Sequence, residues 1–469
     1  MKTALIAILA LVLGAGPAAA APSRPVPAPA GMTATEVSFR GSGGLTLHGT
    51  VLKPAGSSTT RPGVVLVTGS GAGVPREVLL VEAVAFARQG IAVLIYDKRS
   101  AGYTRLRRSY PELADDAVGA VRALRAQPGV DPGKVGVWGL SEGGWVAPLA
   151  AARSTEVAFV IVVGGNAMTP IRQQSWNENS ALRRAGVSGS LLDHAKINFA
   201  RMGADAGLFA EAHYDAQAVL ENVGQPLLGV WGSRDLLTPP ADNSPLFAQA
   251  LRRGGNTHFT FRYFTGADHA AHQSPDGGLT RLPALAPGYA ALVGSWVNDV
   301  TSGRLPNADT PAPPAQDSAS VDAPPSAWWE SVRVQLGLLG LFLAVFTAYP
   351  LTALVRRLRG RAGRPVSRHA RLLAGAGLIT PLGLFVYLFY LMAAGRYPAP
   401  GPVIAGRPLP WLVLQGLAVA TVFATVMTVL AWRRAGTAVR RGERVRLGLL
   451  LTGGVLFVPW AFYWGLLLP

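Results

Sequence analysis

Cysteine is absent from the 469 residues, which excludes disulfides, thiolate metal ligands and a cysteine nucleophile. Acidic residues are also few, 26 against 43 basic ones, leaving a formal charge of +17. Such a balance can mark a nucleic-acid partner, but no binding motif accompanies it, so none is expected. The charge is concentrated instead in two stretches, with seven arginines from Arg356 to Arg371 and six from Arg433 to Arg446. Both lie between long apolar runs, as cytoplasmic membrane loops do. Inside those runs Asp, Glu, Lys and His are missing, so no proton relay or ion path is legible. That weakens a reading of the apolar region as a transporter or sensor with an outer receptor domain.

A chain of this length exceeds one ordinary core, so two or more domains are expected. Residues 1–20 read as a signal peptide: Lys2, then apolar Ala4–Leu13, then the small-residue site Ala18-Ala19-Ala20. The alternative is an uncleaved anchor, for which the apolar stretch is short. Residues 21–35 read as a disordered Pro/Ala-rich lead-in, and residues 303–331 as a linker rich in Pro, Ala, Asp and Ser.

Between them, residues 36–302 alternate apolar strands with amphipathic helices. This rhythm implies a mostly parallel sheet with helices on both faces. Residues 168–222 interrupt it with polar, helix-like sequence and read as an inserted cap. Four apolar segments follow within 332–468, at about 332–355, 372–394, 410–432 and 447–468, each long enough to cross a bilayer. The loop between the second and third has only two arginines. The positive-inside rule therefore puts the two rich loops in the cytoplasm. The N-terminal domain and the C-terminus of a multi-pass protein of the cytoplasmic membrane would then lie outside, as a signal peptide independently requires.

Within the strand–helix region, "GLSEGG" places Ser141 directly after a strand and at the opening of a helix. Gly-x-Ser-x-Gly alone is close to chance in a chain with 55 glycines. Its setting is what counts, because a sharp strand-to-helix turn projects the hydroxyl above the sheet and needs small neighbours. A serine hydroxyl needs a base within reach, and the base needs an acid to hold its tautomer. His269 and His272 both follow the last strand closely. Asp235 lies in the loop after "PLLGVWG"; Asp268 is too near His269 in sequence to face its ring, and Asp242 sits where a helix should start.

Here the chain resembles the α/β-hydrolase superfamily, in its esterase and serine-aminopeptidase-like branch. The resemblance covers about residues 36–302 and rests on "VWGLSEGG", "VLVTGSGAG", "YDKRSAGYT" (with Ser100 where glycine is usual), "VWGSRDLLTPP" and "YFTGADHAAH". It implies an α/β-hydrolase fold with a helical cap insertion, followed here by an all-α transmembrane bundle. It also implies Ser141 as nucleophile, Asp235 as acid and His269, over His272, as base. Ser70 and Glu142 would offer the oxyanion its backbone N–H groups, with Gly71 an alternative to Ser70. The Glu142 side chain is expected to be incidental, serving only the helix dipole. Asp97, Lys98 and Arg99 are expected to be structural. Trp176 would line an acyl pocket or cap the core.

The activity implied is hydrolysis of a carboxylic ester, on a small-molecule or lipid substrate, through an acyl-enzyme. Peptide or amide cleavage, and acyl transfer to a lipid or cell-wall acceptor, remain open. No cofactor is expected. A metal at Asp268, His269 and His272 is conceivable but lacks further ligands, and "GSGAG" lacks the Gly-Lys-Ser/Thr of a nucleotide site.

Overall fold

The computed structural model describes residues 25–56, 59–104, 106–360, 367–394, 399–435, 439 and 441–469. The signal peptide expected at 1–20 lies outside these, as do parts of both arginine-rich loops. The described chain divides into two units, residues 25–177 with 207–322, and residues 178–206 with 323–469.

The first unit is built on eight strands: β1 (Met32–Arg40), β2 (Thr46–Pro54), β3 (Arg61–Val67), β4 (Ala92–Tyr96), β5 (Val130–Leu140), β6 (Val160–Val163), β7 (Leu227–Gly232) and β8 (Phe259–Phe264). They lie in the order β1-β2-β4-β3-β5-β6-β7-β8, with β2 alone running against the rest. β1 begins earlier than position 36, because Met32 already pairs with Pro54 across the hairpin.

Its helices are α1 (Leu80–Arg88), α2 (Tyr110–Arg125), α3 (Gly143–Arg153), α4 (Pro170–Arg184), whose last residues fall in the second unit, α6 (Ala216–Leu220), α7 (Pro240–Arg253) and α8 (Tyr289–Thr301); α5 is introduced below. Strand side chains alternate between two cores, as the pleat requires. Val65, Val67, Leu94 and Tyr96 join the core under α2 and α3. Val64, Leu66, Val93 and Ile95 join the one under α1 and α8. A sheet covered on both faces explains why these strands read as continuous apolar runs.

β3 sits between β4 and β5, so the chain reverses its winding there. Loops leaving the carboxyl ends of β3 and β5 diverge around a crevice, the usual place for a ligand in such sheets. Within residues 303–322, expected to be part of a linker, Asp309 lies on the sheet edge. Asp309 pairs with β8, donating to the Phe259 carbonyl (3.0 Å) and accepting from the Phe261 N–H (2.8 Å). Farther on, the Ser320 N–H donates to Asp242 in the first turn of α7 (2.6 Å).

The second unit contains α9 (Val332–Leu358), α10 (Arg368–Ala394), α11 (Leu409–Ala435) and α12 (Arg441–Tyr463). All four are long and apolar enough to cross a membrane. Small residues let them approach: a Cβ at Gly377 would lie 2.6 Å from the Phe346 ring, and one at Gly454 would lie 2.4 Å from Thr425. Residues 178–206 of the insertion, including α5 (Ile197–Asp205), belong to this unit. Leu191, Leu192 and Phe199 enter its core. Polar pins hold the segment: Asn198 donates to the Tyr463 carbonyl (2.6 Å), Ser190 N–H to the Pro469 carbonyl (3.0 Å) and Ser188 N–H to the Gly406 carbonyl (2.7 Å). All three contacts lie at the end of the bundle away from the arginine-rich loops. At the opposite end, Glu443 joins Arg356 (2.9 Å) and Arg446 (2.6 Å).

Candidate active site

Ser141 occupies the turn between β5 and α3 with φ 58°, left-handed backbone that costs a non-glycine residue about 1–3 kcal/mol. Its N–H donates to the Val163 carbonyl at the end of β6 (3.0 Å). The flanking glycines are steric necessities. A Cβ at Gly139 would lie 1.9 Å from the Gly143 carbonyl oxygen, and one at Gly143 would lie 2.5 Å from that of Val67. The loop after β3 is equally close, since a Cβ at Gly69 would meet the Ser141 Cβ at 3.3 Å.

Asp235 and His269 come from the loops after β7 and β8, and both side chains are buried. They meet in a 2.8 Å hydrogen bond between Asp235 Oδ2 and His269 Nδ1. Asp235 is held in turn by the N–H groups of Leu237 (2.8 Å) and Thr238 (2.9 Å) and by the Thr238 hydroxyl (2.6 Å). With Nδ1 so engaged, Nε2 is the nitrogen left to exchange a proton. It is buried and has no hydrogen-bond partner among the described residues. Ser141 Oγ makes no hydrogen bond to it.

The rival residues are engaged elsewhere. His272 bonds the Leu282 carbonyl through Nδ1 (2.9 Å) and Glu82 through Nε2 (2.9 Å). Asp268 accepts from the N–H groups of Ala270 (2.9 Å) and His272 (3.0 Å) and pairs with Arg281 (2.6 Å). Asp268, His269 and His272 thus turn their side chains to different partners. Trp176 donates from its indole to the Ser318 carbonyl (2.8 Å).

The His272–Glu82 pair has a consequence for stability. Burial works against the imidazolium, but the hydrogen bond and charge of Glu82, with the Leu282 carbonyl, outweigh it and raise the pKa above 6.5. A raised folded value favours the protonated native state, so the stabilisation is complete below pH 6.5 and is lost as pH climbs through the folded pKa. The difference in melting temperature between wild type and His272→Gln should be widest in acid and narrow as the solution becomes alkaline. A difference that is flat with pH, or that widens upward, would refute this.

Gly164, at the end of β6, forms the wall behind His269. A Cβ there would lie 2.6 Å from both His269 Nδ1 and Cε1, on a residue whose φ is +52°. Gly164→Ala should displace the imidazole and lower kcat by roughly 10- to 100-fold, since displacement by about 1 Å can cost two orders of magnitude. Wild-type kcat in that variant would show that the ring tolerates the shift.

The loop after β3 also presents backbone donors. The Gly71 N–H is bound to the Tyr103 hydroxyl (3.2 Å). The N–H groups of Ser70 and Glu142 donate to no described group. The Glu142 side chain, expected to be incidental, is instead completely buried. It contacts Lys98, accepts from the Tyr103 hydroxyl (2.8 Å) and pairs with Arg108 (2.9 Å). Lys98, Tyr103 and Arg108 escaped the sequence reading as a group with Glu142. The available signal was the segment "YDKRSAGYT" leaving β4, the strand beside β3. Arg99 of that segment forms a fork on Asp116 (2.6 and 2.8 Å) and serves the framework, as expected.

Residues 81–281 match the prolyl oligopeptidase family. The chain is 36% identical over 133 residues to a polyketide transferase of Penicillium crustosum, covering 28% of this chain and 43% of that protein. It is 34% identical over 135 residues to a thiohydrolase of Aspergillus aculeatus, covering 28% of this chain and 41% of that one. The chain thus spans about two fifths of the length of the curated relatives it matches. Among solved structures, 2,6-dihydroxy-pseudo-oxynicotine hydrolase superposes with a TM-score of 0.42 at 17% identity, covering 59% of this chain and 70% of that one. The dipeptidyl peptidase 4 of Porphyromonas gingivalis gives 0.39 at 16% identity, covering 57% and 35%.

Strand order and winding, with the family match over residues 81–281, give the N-terminal unit an α/β-hydrolase fold. C-terminal to that unit the chain carries four apolar helices that could span a membrane.

Proposed function

We propose that the protein is a serine hydrolase anchored in the cytoplasmic membrane, with its hydrolase domain on the extracytoplasmic side. One observation carries the chemistry: the Asp235–His269 hydrogen bond commits Nδ1 and leaves a buried, unpartnered Nε2. Ser141, at positive φ on the turn after β5, supplies the hydroxyl to match it. In the forward step Ser141 Oγ attacks an acyl carbonyl carbon while His269 Nε2 takes its proton. The N–H groups of Ser70 and Glu142 hold the oxyanion. Collapse breaks the bond to the leaving group, which receives the proton from Nε2 and departs. Water then attacks the acyl-enzyme by the same route, giving the acid and restoring Ser141. Asp235 holds the imidazole tautomer and stabilises the imidazolium, and stays ionised throughout.

A carboxylic ester, small or lipidic, is the proposed substrate. Thioester cleavage follows from the same acyl chemistry, and a relative carries the name thiohydrolase. The prolyl oligopeptidase match keeps amides in view. A second reading, transfer of the acyl group to a lipid or cell-wall acceptor, is favoured by the relative named as a transferase. Orientation rests on the arginine-rich loops. Packing of residues 178–206 at the other end of the bundle supports the same orientation.

A fluorophosphonate probe on the detergent-purified chain tests the nucleophile, and labelling should be abolished in Ser141→Ala. Persistent labelling of that variant, or none of wild type, would overturn the assignment. Ester, thioester, amide and lipid substrates compared on the same preparation identify the class. A lipid acceptor that diverts the acyl group from water would select the transferase reading.

A further inference from the structure

The hydrolytic cycle proposed above uses the Glu142 N–H and leaves its carboxylate without a task. Yet that carboxylate, buried completely, is the centre of a connected polar cluster. Lys98 Nζ reaches Glu142 Oε1 and also donates to the Gly69 carbonyl (2.7 Å). Tyr103 Oη donates to Glu142 (2.8 Å) and accepts the Gly71 N–H (3.2 Å). Arg108 closes the other carboxylate oxygen (2.9 Å) and donates to the Ala210 carbonyl (3.3 Å). Burial lowers the Lys98 pKa, opposed by the charge of Glu142, while burial and that same carboxylate push the Tyr103 hydroxyl up to about 12.

The connections are specific. The backbone groups on either side of Ser70 are both drawn into the cluster, Gly69 through its carbonyl and Gly71 through its N–H. Between them, the Ser70 N–H donates to no described group. The other proposed donor, the Glu142 N–H, belongs to the residue whose side chain anchors the cluster. Two oxyanion donors from separate loops are thus tied together through one carboxylate. Buried ion pairs are weak devices for stability, since apolar replacements of similar shape often do as well. Fixing the spacing of donors is a different matter, because such donors act by being placed before charge develops.

We propose that Glu142, Lys98 and Tyr103 are positioning residues that set the separation of the Ser70 and Glu142 N–H groups for the oxyanion. This rests on the reading of Ser141 as nucleophile. The cluster then acts on the transition state and on tetrahedral adducts, with little effect on binding of the planar substrate.

The test compares full-length wild type, Tyr103→Phe and Glu142→Gln in hydrolysis of a p-nitrophenyl ester. Rates are expressed per serine titrated with fluorophosphonate, so that misfolded protein is not counted. A trifluoromethyl ketone, which forms a tetrahedral anion on the serine, is the second readout. Both variants should lose about 10- to 100-fold in kcat, with KM within about twofold. They should lose the same factor in affinity for the ketone. Unchanged kcat and ketone affinity per titrated site, or a fall only in the number of titratable sites, would overturn the proposal. Glu142→Gln leaves Lys98 without its counter-charge; if that variant loses its label, Tyr103→Phe decides alone, since it removes one oxygen and keeps the ion pair. If wild type itself is not labelled at Ser141, the nucleophile reading fails, an outcome distinct from labelled variants with normal rates.

Discussion

Ser141→Ala is expected to lower kcat on a good ester substrate by about a million-fold, the scale seen when a serine nucleophile is deleted elsewhere. KM should barely move, because the hydroxyl contributes little to holding a planar ester. The substitution leaves in place the Ser70 and Glu142 N–H groups proposed to hold the oxyanion. Activity above the background of water should therefore persist at roughly 10³- to 10⁴-fold, by direct attack of water on the bound ester. The substitution also removes no core contact, since Ser141 is partly exposed on its turn. Stopped-time assays at high enzyme concentration, with melting measured in parallel, read both quantities. A variant with a tenth of wild-type kcat would show that another group attacks.

Asp235→Asn should have the next largest effect, about 10⁴-fold in kcat. The cause is the tautomer. Asp235 accepts from the Leu237 and Thr238 N–H groups and from the Thr238 hydroxyl, and it meets His269 Nδ1 at 2.8 Å. An amide oxygen in the Oδ1 position can satisfy the two N–H groups, while the Thr238 hydroxyl, which shares Oδ2 with His269, must turn to accept. The amide NH₂ then faces Nδ1 and turns that nitrogen into an acceptor, which protonates Nε2 and removes the base. Asp235→Ala, by contrast, releases the ring and leaves the tautomer free. The asparagine variant should thus be as slow as the alanine one or slower, although it is the closer in shape. A kcat for Asp235→Asn within tenfold of wild type would remove Asp235 from this role.

Much of the framework was readable because its signals are local. Apolar runs such as "GVVLVTG" and "IAVLIYD" are strands, and the turn at Ser141 follows from small residues packed between a strand and a helix. The nearness of Asp235 to His269 follows from chain order alone, since successive parallel strands bring their carboxyl-end loops to one edge. What was not readable depended on distant partners. Glu142 looked like an ordinary residue of a first helical turn. Its burial is decided by Lys98 and Tyr103, on a strand–loop segment more than 30 positions earlier. The insertion looked like one polar cap, yet residues 178–206 belong to the helical unit, because Leu191, Leu192 and Phe199 find their apolar partners there. Residues 303–322 had the composition of a tether, and composition says nothing about main-chain pairing such as that of Asp309.

That pairing also bears on how the first unit can be cut from the helices. β8 is an outer strand of the sheet, and Asp309 occupies part of its hydrogen-bonding edge. A truncation ending where α8 ends would uncover the Phe259–Phe261 main chain, in a strand of sequence "FTFRYF". Open edges of that composition recruit other chains, and aggregation is the usual result. A soluble fragment is better ended after residue 322, so that this strip of irregular chain stays on as a guard for the sheet.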